Sequence, residues 1–209
     1  MVTPDEKVYV VDDDRDVRDS LHLLLRTAGL PVVTCASAQE LLDRIGPAHP
    51  GCLVLDVRLP GMNGLELQAA LGVREVRMPI LFISGHADIP MAVRAVNAGA
   101  FDFLEKPFDE EVLLDRIHGA LEHDRAQRRE EQGRRAIERL LERLTPRERE
   151  VMEQMLLGRL NKVIAAELGL SVRTVEIHRA RVLEKLEVHN ATEMVRQVLS
   201  TGAYRDWLL

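Results

Sequence analysis

Aromatic side chains are scarce in this 209-residue chain, with one Trp, two Tyr and four Phe. A core of ordinary size must therefore be built from Leu, Val, Ile and Ala, which the 46% apolar content permits. Cysteine is scarcer still. Cys35 and Cys52 lack metal-ligand spacing and are too few for a disulfide framework, so both are expected to be reduced and to act as small apolar residues flanking strands. No apolar run approaches the roughly 20 residues of a membrane span, and no basic start with an apolar segment behind it opens the chain. A cytoplasmic protein without membrane contact is expected. Long-period repeats and low-complexity tracts are also missing, and with 30% charged residues the composition is that of a folded protein.

The net charge of −6 is unevenly spread. Residues 1–121 carry −8, residues 122–144 carry +1 and residues 145–209 carry +1. A nearly neutral last part can still bind nucleic acid if its cations share one face.

Between Lys7 and about Leu121, the short apolar runs 8–11, 31–34, 52–56, 80–84 and 101–105 alternate with helix-like segments at about 15–28, 37–45, 64–74, 88–98 and 109–121. This alternation predicts repeated βα units around a parallel sheet, and the unbroken apolar runs predict strands covered on both faces. Residues 122–144, rich in Arg and Glu, predict a solvated helical linker weakened at Gly133, in which Ile137, Leu140, Leu141 and Leu144 approach the next domain. Thr145-Pro146 reads as an N-cap followed by a first-turn proline. Helices are then expected at about 146–157, 161–168, 172–187 and 192–200, with turns at Gly158, Gly169 and Asn190. The expected division is 1–121, 122–144 and 145–209.

Chemistry concentrates at the strand ends. Asp12-Asp13-Asp14 follows the first strand, Asp56 ends the third, Ser84 ends the fourth and Lys106 follows the fifth. In a parallel α/β sheet these positions converge on one rim. Clustered carboxylates repel one another, and a hard divalent cation with oxygen ligands, such as Mg²⁺, relieves the conflict. A carboxylate beside such an ion can attack phosphorus, while Lys106 supplies a point charge and the Ser84 hydroxyl a hydrogen bond to a phosphoryl group.

The stretches "VVDDD", "LVLDVRLPGMNGLEL" (53–67), "ILFISGHAD" (80–88) and "FDFLEKPF" (101–108) resemble the landmarks of a two-component receiver domain, in the family's order. The resemblance implies a flavodoxin-like five-stranded parallel sheet of order 2-1-3-4-5. It makes Asp56 the phosphoacceptor, with Mg²⁺ (Mn²⁺ as a substitute) held by Asp12, Asp13, Asp56 and the backbone carbonyl of Arg58. Asp14 is left to cap the helix at 15–28, and Lys106-Pro107 resembles a pair joined by a cis peptide. Ser84 and Phe103 become switch residues, and the segment 88–105 a dimer face.

Residues 161–186 have helix-turn-helix form: a short helix, Gly169 in the turn, and Ser171 as N-cap of a longer helix. On a helical wheel Val172, Val175, Val182, Leu183 and Leu186 share an apolar face, and Arg173, Glu176, Ile177, Ala180, Arg181 and Glu184 lie outward. An outward Ile177 suits thymine methyl groups, and Arg173 or Arg181 suits guanine or phosphate. Lys162 and Thr174, at helix N-termini, suit phosphate, and Lys185 suits the DNA backbone further along. Arg179 falls toward the core, and His178 serves packing or a phosphate contact. Residues 144–186 resemble the LuxR-type DNA-binding domain, with the motif itself at about 161–180. Together the parts resemble a response regulator of the FixJ/NarL class, closest in wording to the FixJ group. Glu176 is acidic where some relatives are basic, so the recognised bases do not carry over.

That resemblance implies a DNA-binding transcriptional regulator, commonly an activator, switched by a sensor histidine kinase. It acts on double-stranded promoter DNA as a phosphorylated homodimer that meets RNA polymerase, and it is not an enzyme beyond its own phosphorylation and slow dephosphorylation. Two other readings compete with it. A Mg²⁺-dependent phosphatase would need a substrate pocket and a cap domain. A DNA-binding protein whose receiver is never phosphorylated would not need the complete set Asp12, Asp13, Asp56, Ser84 and Lys106.

Overall fold

In the computed structural model, which describes residues 6–85 and 89–204, five parallel strands alternate with helices. The strands are β1 (Lys7–Val11), β2 (Val32–Cys35), β3 (Gly51–Asp56), β4 (Ile80–Ser84) and β5 (Asp102–Glu105). The helices between and after them are α1 (Arg15–Thr27), α2 (Ala38–Leu42), α3 (Gly64–Val73), α4 (Ile89–Asn97) and α5 (Glu110–Glu142). The strand order β2-β1-β3-β4-β5 agrees with expectation. Residues 86–88, which include part of the quoted "GHAD" and the start of the segment 88–105, lie outside the described residues.

Strand periodicity sorts the core into two layers. Tyr9, Val11, Leu53, Leu55 and Phe82 face one side of the sheet, where Leu41, Leu67, Leu71 and Ala95 of α2, α3 and α4 cover them. Val8, Val10, Val54, Leu81 and Ile83 face the other, against Leu21 and Leu25 of α1 and Leu113 and Ile117 of α5. The central strands β1, β3 and β4 are buried on both faces, which is why their sequences are almost continuously apolar, whereas the edge strands β2 and β5 are only partly buried. Cys35 and Cys52 are buried free thiols on opposite layers. Burial pushes Cys35 up to about 11 and Cys52 higher still.

Two glycines let backbones approach. A Cβ on Gly51 would lie 2.0 Å from the Lys7 carbonyl oxygen, and one on Gly64 would lie 2.5 Å from that of Asp56. Gly51 N donates to the buried Asp124 of α5 at 3.0 Å, and Arg125 donates to both carboxylate oxygens of Glu6. These contacts tie α5 to the beginnings of β1 and β3. Helix α2 is shorter than the 37–45 expected, because the chain leaves helical geometry before Gly46-Pro47.

The chain divides into compact units 1–127 and 128–209, a boundary inside the segment expected as linker. In the second unit the last turns of α5 are followed by α6 (Pro146–Leu156), α7 (Asn161–Leu168), α8 (Val172–Lys185) and α9 (Ala191–Ser200). Leu141 and Leu144 are buried here with Ile137 and Leu140 against them, so these residues belong to this unit's core. Around them stand Val151, Met152, Ile164, Val175, Val182 and Met194.

Thr145 and Glu148 form a reciprocal capping box at the start of α6. Glu148 is 3% exposed, and its Oε2 accepts from Thr145 N at 2.9 Å and from Lys185 Nζ at 2.6 Å. Burial raises this carboxyl, but the bonds from Lys185 and Thr145 outweigh it and hold the group at about 2, below its ordinary 4.5. A depressed folded-state value means that the carboxylate's contribution is complete above about pH 4.5 and is lost as pH falls toward 2. Amide exchange in α6 and α8 is therefore expected to show weaker protection at about pH 3 than at about pH 6. Lys185→Met should remove about 1–3 kcal/mol at the higher pH. Equal protection at both pH values, and in the variant, contradicts this role.

Candidate functional site

The sheet delivers its polar residues to one edge, as the strand ends require. Asp12 leaves β1 and is 1% exposed, Asp13 is exposed, and Asp56 closes β3 half-buried. One carboxylate oxygen from each lies within 4.8 Å of the others. Lys106 Nζ donates to Asp12 Oδ2 at 2.8 Å and lies 3.7 Å from Asp56 Oδ2. Two of the three carboxylates thus share one ammonium.

Neighbouring groups hold this arrangement in place. Asp12 Oδ1 accepts from Asp14 N at 2.9 Å, and the Asp12 carbonyl accepts from Arg18 Nη1 at 2.7 Å. Asp56 Oδ1 accepts from Arg58 N at 3.2 Å. Burial is the main force raising the Asp56 carboxyl above its ordinary range. Lys106 and the Arg58 N–H pull it down, and Asp12 and Asp13 push it up, leaving it raised. The donor set is all oxygen and carries more negative charge than Lys106 offsets, which fits a hard divalent cation. Arg18 escaped the sequence reading. Its position one turn after Asp14 was the available signal, but an outward arginine on a helix gave no reason to aim it at Asp12.

Asp14 has a different part from its neighbours. Its Oδ1 accepts from Asp16 N at 2.8 Å and from Val17 N at 3.4 Å, so it caps α1. Ser84 is buried at the end of β4, and its carbonyl accepts from Lys106 N at 2.8 Å, which links the two chain segments. The Lys106–Pro107 peptide is cis. Phe103, paired in register with Phe82, is half-buried, with ring centroids 6.3 Å apart.

In the second unit, Gly169 ends α7 in left-handed conformation at φ 64°, and Ser171 Oγ accepts from Thr174 N at 3.0 Å to start α8. Arg173, Glu176, Ile177, Ala180 and Arg181 are exposed on α8, and Lys162 is exposed on α7. Ile177 is 44% exposed among these polar neighbours. Thr174 is half-buried, with its hydroxyl 2.8 Å from Ser171 Oγ. Arg179 and His178 are half-buried, and His178 Nδ1 is buried without a hydrogen-bond partner among the described residues.

Two positions differ from expectation. Val172, assigned by the wheel to the apolar face, is 38% exposed at the first position of α8, whereas Val175 and Val182 further along are buried. Lys185, expected on the DNA backbone, instead points its ammonium into its own domain, donating to Glu148 Oε2 at 2.6 Å and to the Arg143 carbonyl at 3.1 Å. A buried carboxylate outcompetes solvent for that cation.

Residues 8–118 match the response regulator receiver domain family, and residues 142–198 match the bacterial regulatory proteins of the luxR family. Nodulation protein W of Bradyrhizobium diazoefficiens is 45% identical over 93% of this chain and 86% of its own length. Transcriptional regulatory protein FixJ of Azorhizobium caulinodans is 43% identical over 93% of this chain and 92% of its own. Among solved structures, response regulator StyR covers 93% of this chain and 98% of its own at 44% identity and a TM-score of 0.84. Full-length FixJ from B. japonicum covers 96% and 98% at 40% identity, with a TM-score of 0.59.

The division of labour among the three consecutive acids has a measurable consequence. Asp14→Ala should cost about 1 kcal/mol in urea unfolding of the receiver, the usual loss on removing an N-cap. Asp13→Asn removes a repelling carboxylate and in metal-free buffer should leave stability equal or raised. A larger loss from Asp13→Asn than from Asp14→Ala contradicts this division.

Proposed function

The chain belongs to the two-component response regulators that join a receiver to a LuxR-type DNA-binding domain, and from that premise we propose how its own residues carry the signal. It is a transcriptional regulator with a kinase and DNA as partners, not an enzyme in the usual sense.

In our reading, Asp56 accepts a phosphoryl group from the phosphohistidine of a sensor histidine kinase. A carboxylate oxygen forms the new P–O bond as the P–N bond to imidazole breaks. What carries this reading is the meeting of Asp12, Asp13 and Asp56 within 4.8 Å beside Lys106 Nζ. Asp12, Asp13, Asp56 and the Arg58 carbonyl would hold Mg²⁺, or Mn²⁺ in its place. Such an ion would supply positive charge to the phosphoryl oxygens. Lys106 releases part of its hold on Asp12 to meet the same oxygens, and the Ser84 hydroxyl donates a hydrogen bond to them. Phe103, already packed on Phe82, turns further inward behind Ser84. The new bonds bias a two-state domain, whose altered face from α4 to β5 pairs two copies.

The output side would read DNA through α8. Arg173, Glu176, Ile177, Ala180 and Arg181 face the groove, with Lys162 and Thr174 on phosphate. Lys185 would reach the DNA backbone only by leaving Glu148. Paired domains then occupy two half-sites and act through RNA polymerase, as an activator.

Incubation of the full chain with Mg²⁺ and acetyl phosphate is expected to add one phosphoryl group by intact mass, and Asp56→Asn to abolish the addition. An unmodified wild-type chain, or an Asp56→Asn chain modified equally, overturns the phosphoacceptor assignment.

Affinity for a mixed-sequence duplex should fall linearly in a log–log plot against salt. Arg173→Ala and Arg181→Ala should each weaken it, with a slope smaller by about one where the contact is to phosphate. Unchanged binding in both variants contradicts the placement of α8 in the groove.

A further inference from the structure

The outward side of α8 keeps its charges unpaired. On other helices, surface acids pair with arginines one turn away: Asp19 with Arg15, Glu40 with Arg44, Glu131 with Arg135 and Glu138 with Arg134. On α8, Arg173, Glu176, Arg179 and Arg181 make no ion pair or side-chain hydrogen bond with the described residues, although Arg173 and Arg179 each stand three residues from Glu176. Glu176 is exposed, and it is the one acid in the first two turns of the helix, residues 172–179. Beside it stands Ile177, 44% exposed, and one turn further the same face carries only the small side chain of Ala180. The other exposed acid of the helix, Glu184, lies eight residues later. That is about 12 Å by helical rise, past the N-terminal part of a recognition helix that reaches base edges.

A carboxylate brought against a duplex is repelled by the phosphates, so its presence on a reading face must be offset by a bond it makes there. A carboxylate only accepts hydrogen bonds. In the major groove guanine offers two acceptors and thymine offers an acceptor and a methyl group. Adenine has a donor at N6, but the N7 acceptor beside it repels the second carboxylate oxygen. Cytosine presents its N4 amino donor with no acceptor next to it on its own edge. We propose that Glu176 is a specificity-determining residue that selects cytosine at one position of each half-site by accepting from N4, and rejects guanine and thymine there. The proposal rests on the placement of α8 in the groove, and not on the phosphoacceptor assignment.

The test is in vitro selection from a random duplex pool with the full chain, incubated with Mg²⁺ and acetyl phosphate, and with its Glu176→Gln, Glu176→Ala and Arg173→Ala variants. The wild type is expected to enrich a site with one cytosine position at which exchange for thymine weakens binding about tenfold. Glu176→Gln should move the preference at that position to adenine, whose N6 and N7 a carboxamide bonds together. Glu176→Ala should lose the preference there and bind a mixed-sequence duplex more tightly than the wild type, because a negative charge has left the face. A consensus that Arg173→Ala changes and Glu176→Gln leaves unmoved keeps α8 in the groove and overturns Glu176 as a reader. A position that follows Glu176 but prefers guanine or thymine also overturns it. A selection that enriches nothing, or a consensus unmoved by every variant, overturns the placement of α8 and the proposal with it.

Discussion

Three carboxylates and one ammonium at the carboxyl edge of the sheet set the terms for the rest of the receiver. Two unit charges about 4 Å apart interact by about 4 kcal/mol at an effective dielectric near 20, so Lys106 settles only part of the repulsion among Asp12, Asp13 and Asp56. The fold holds the imbalance in place. Strands β1 and β3 are adjacent and buried on both faces, so Asp12 and Asp56 cannot move apart without breaking the sheet. Gly64 allows α3 to begin against the Asp56 backbone, and the Ser84 carbonyl fixes the Lys106 backbone beside both acids. An edge built this way has stored electrostatic work, which added positive charge or a phosphoryl group can release.

The second unit solves a different electrostatic problem with similar parts. Its buried acid, Glu148, accepts from both Thr145 N and Lys185 Nζ on Oε2, and it serves to cap α6 and brace the end of α8. The contrast separates the roles: a buried carboxylate matched by its own ammonium is structural, and a cluster short of positive charge is poised for a ligand. With Lys185 committed inward, the outward face of α8 depends for cations on Arg173 and Arg181, with Lys162 on the neighbouring helix.

Much of this was legible in the sequence, for identifiable reasons. Unbroken apolar runs alternating with helix-like segments announced the sheet, its order came through the family resemblance, and strand-end placement brought Asp12, Asp13, Asp56, Ser84 and Lys106 to one edge. Asp14 as a cap came through the same resemblance, which left it no ligand role, and its side chain does cap α1. Less legible were contacts between residues distant in the chain. Asp124 reaches Gly51 and Arg125 reaches Glu6, although all four look like ordinary surface or turn residues in sequence. Lys185 looked like a cation at a helix end because Glu148, 37 residues earlier, gave no sign of being buried.

The central claim is that the carboxylate edge is completed by a divalent cation. Calorimetric titration of the metal-free full chain with Mg²⁺ tests it most directly. The account predicts one saturable site per chain, weakened by Asp13→Asn. Absence of saturable binding, or binding that Asp13→Asn leaves unchanged, would contradict it.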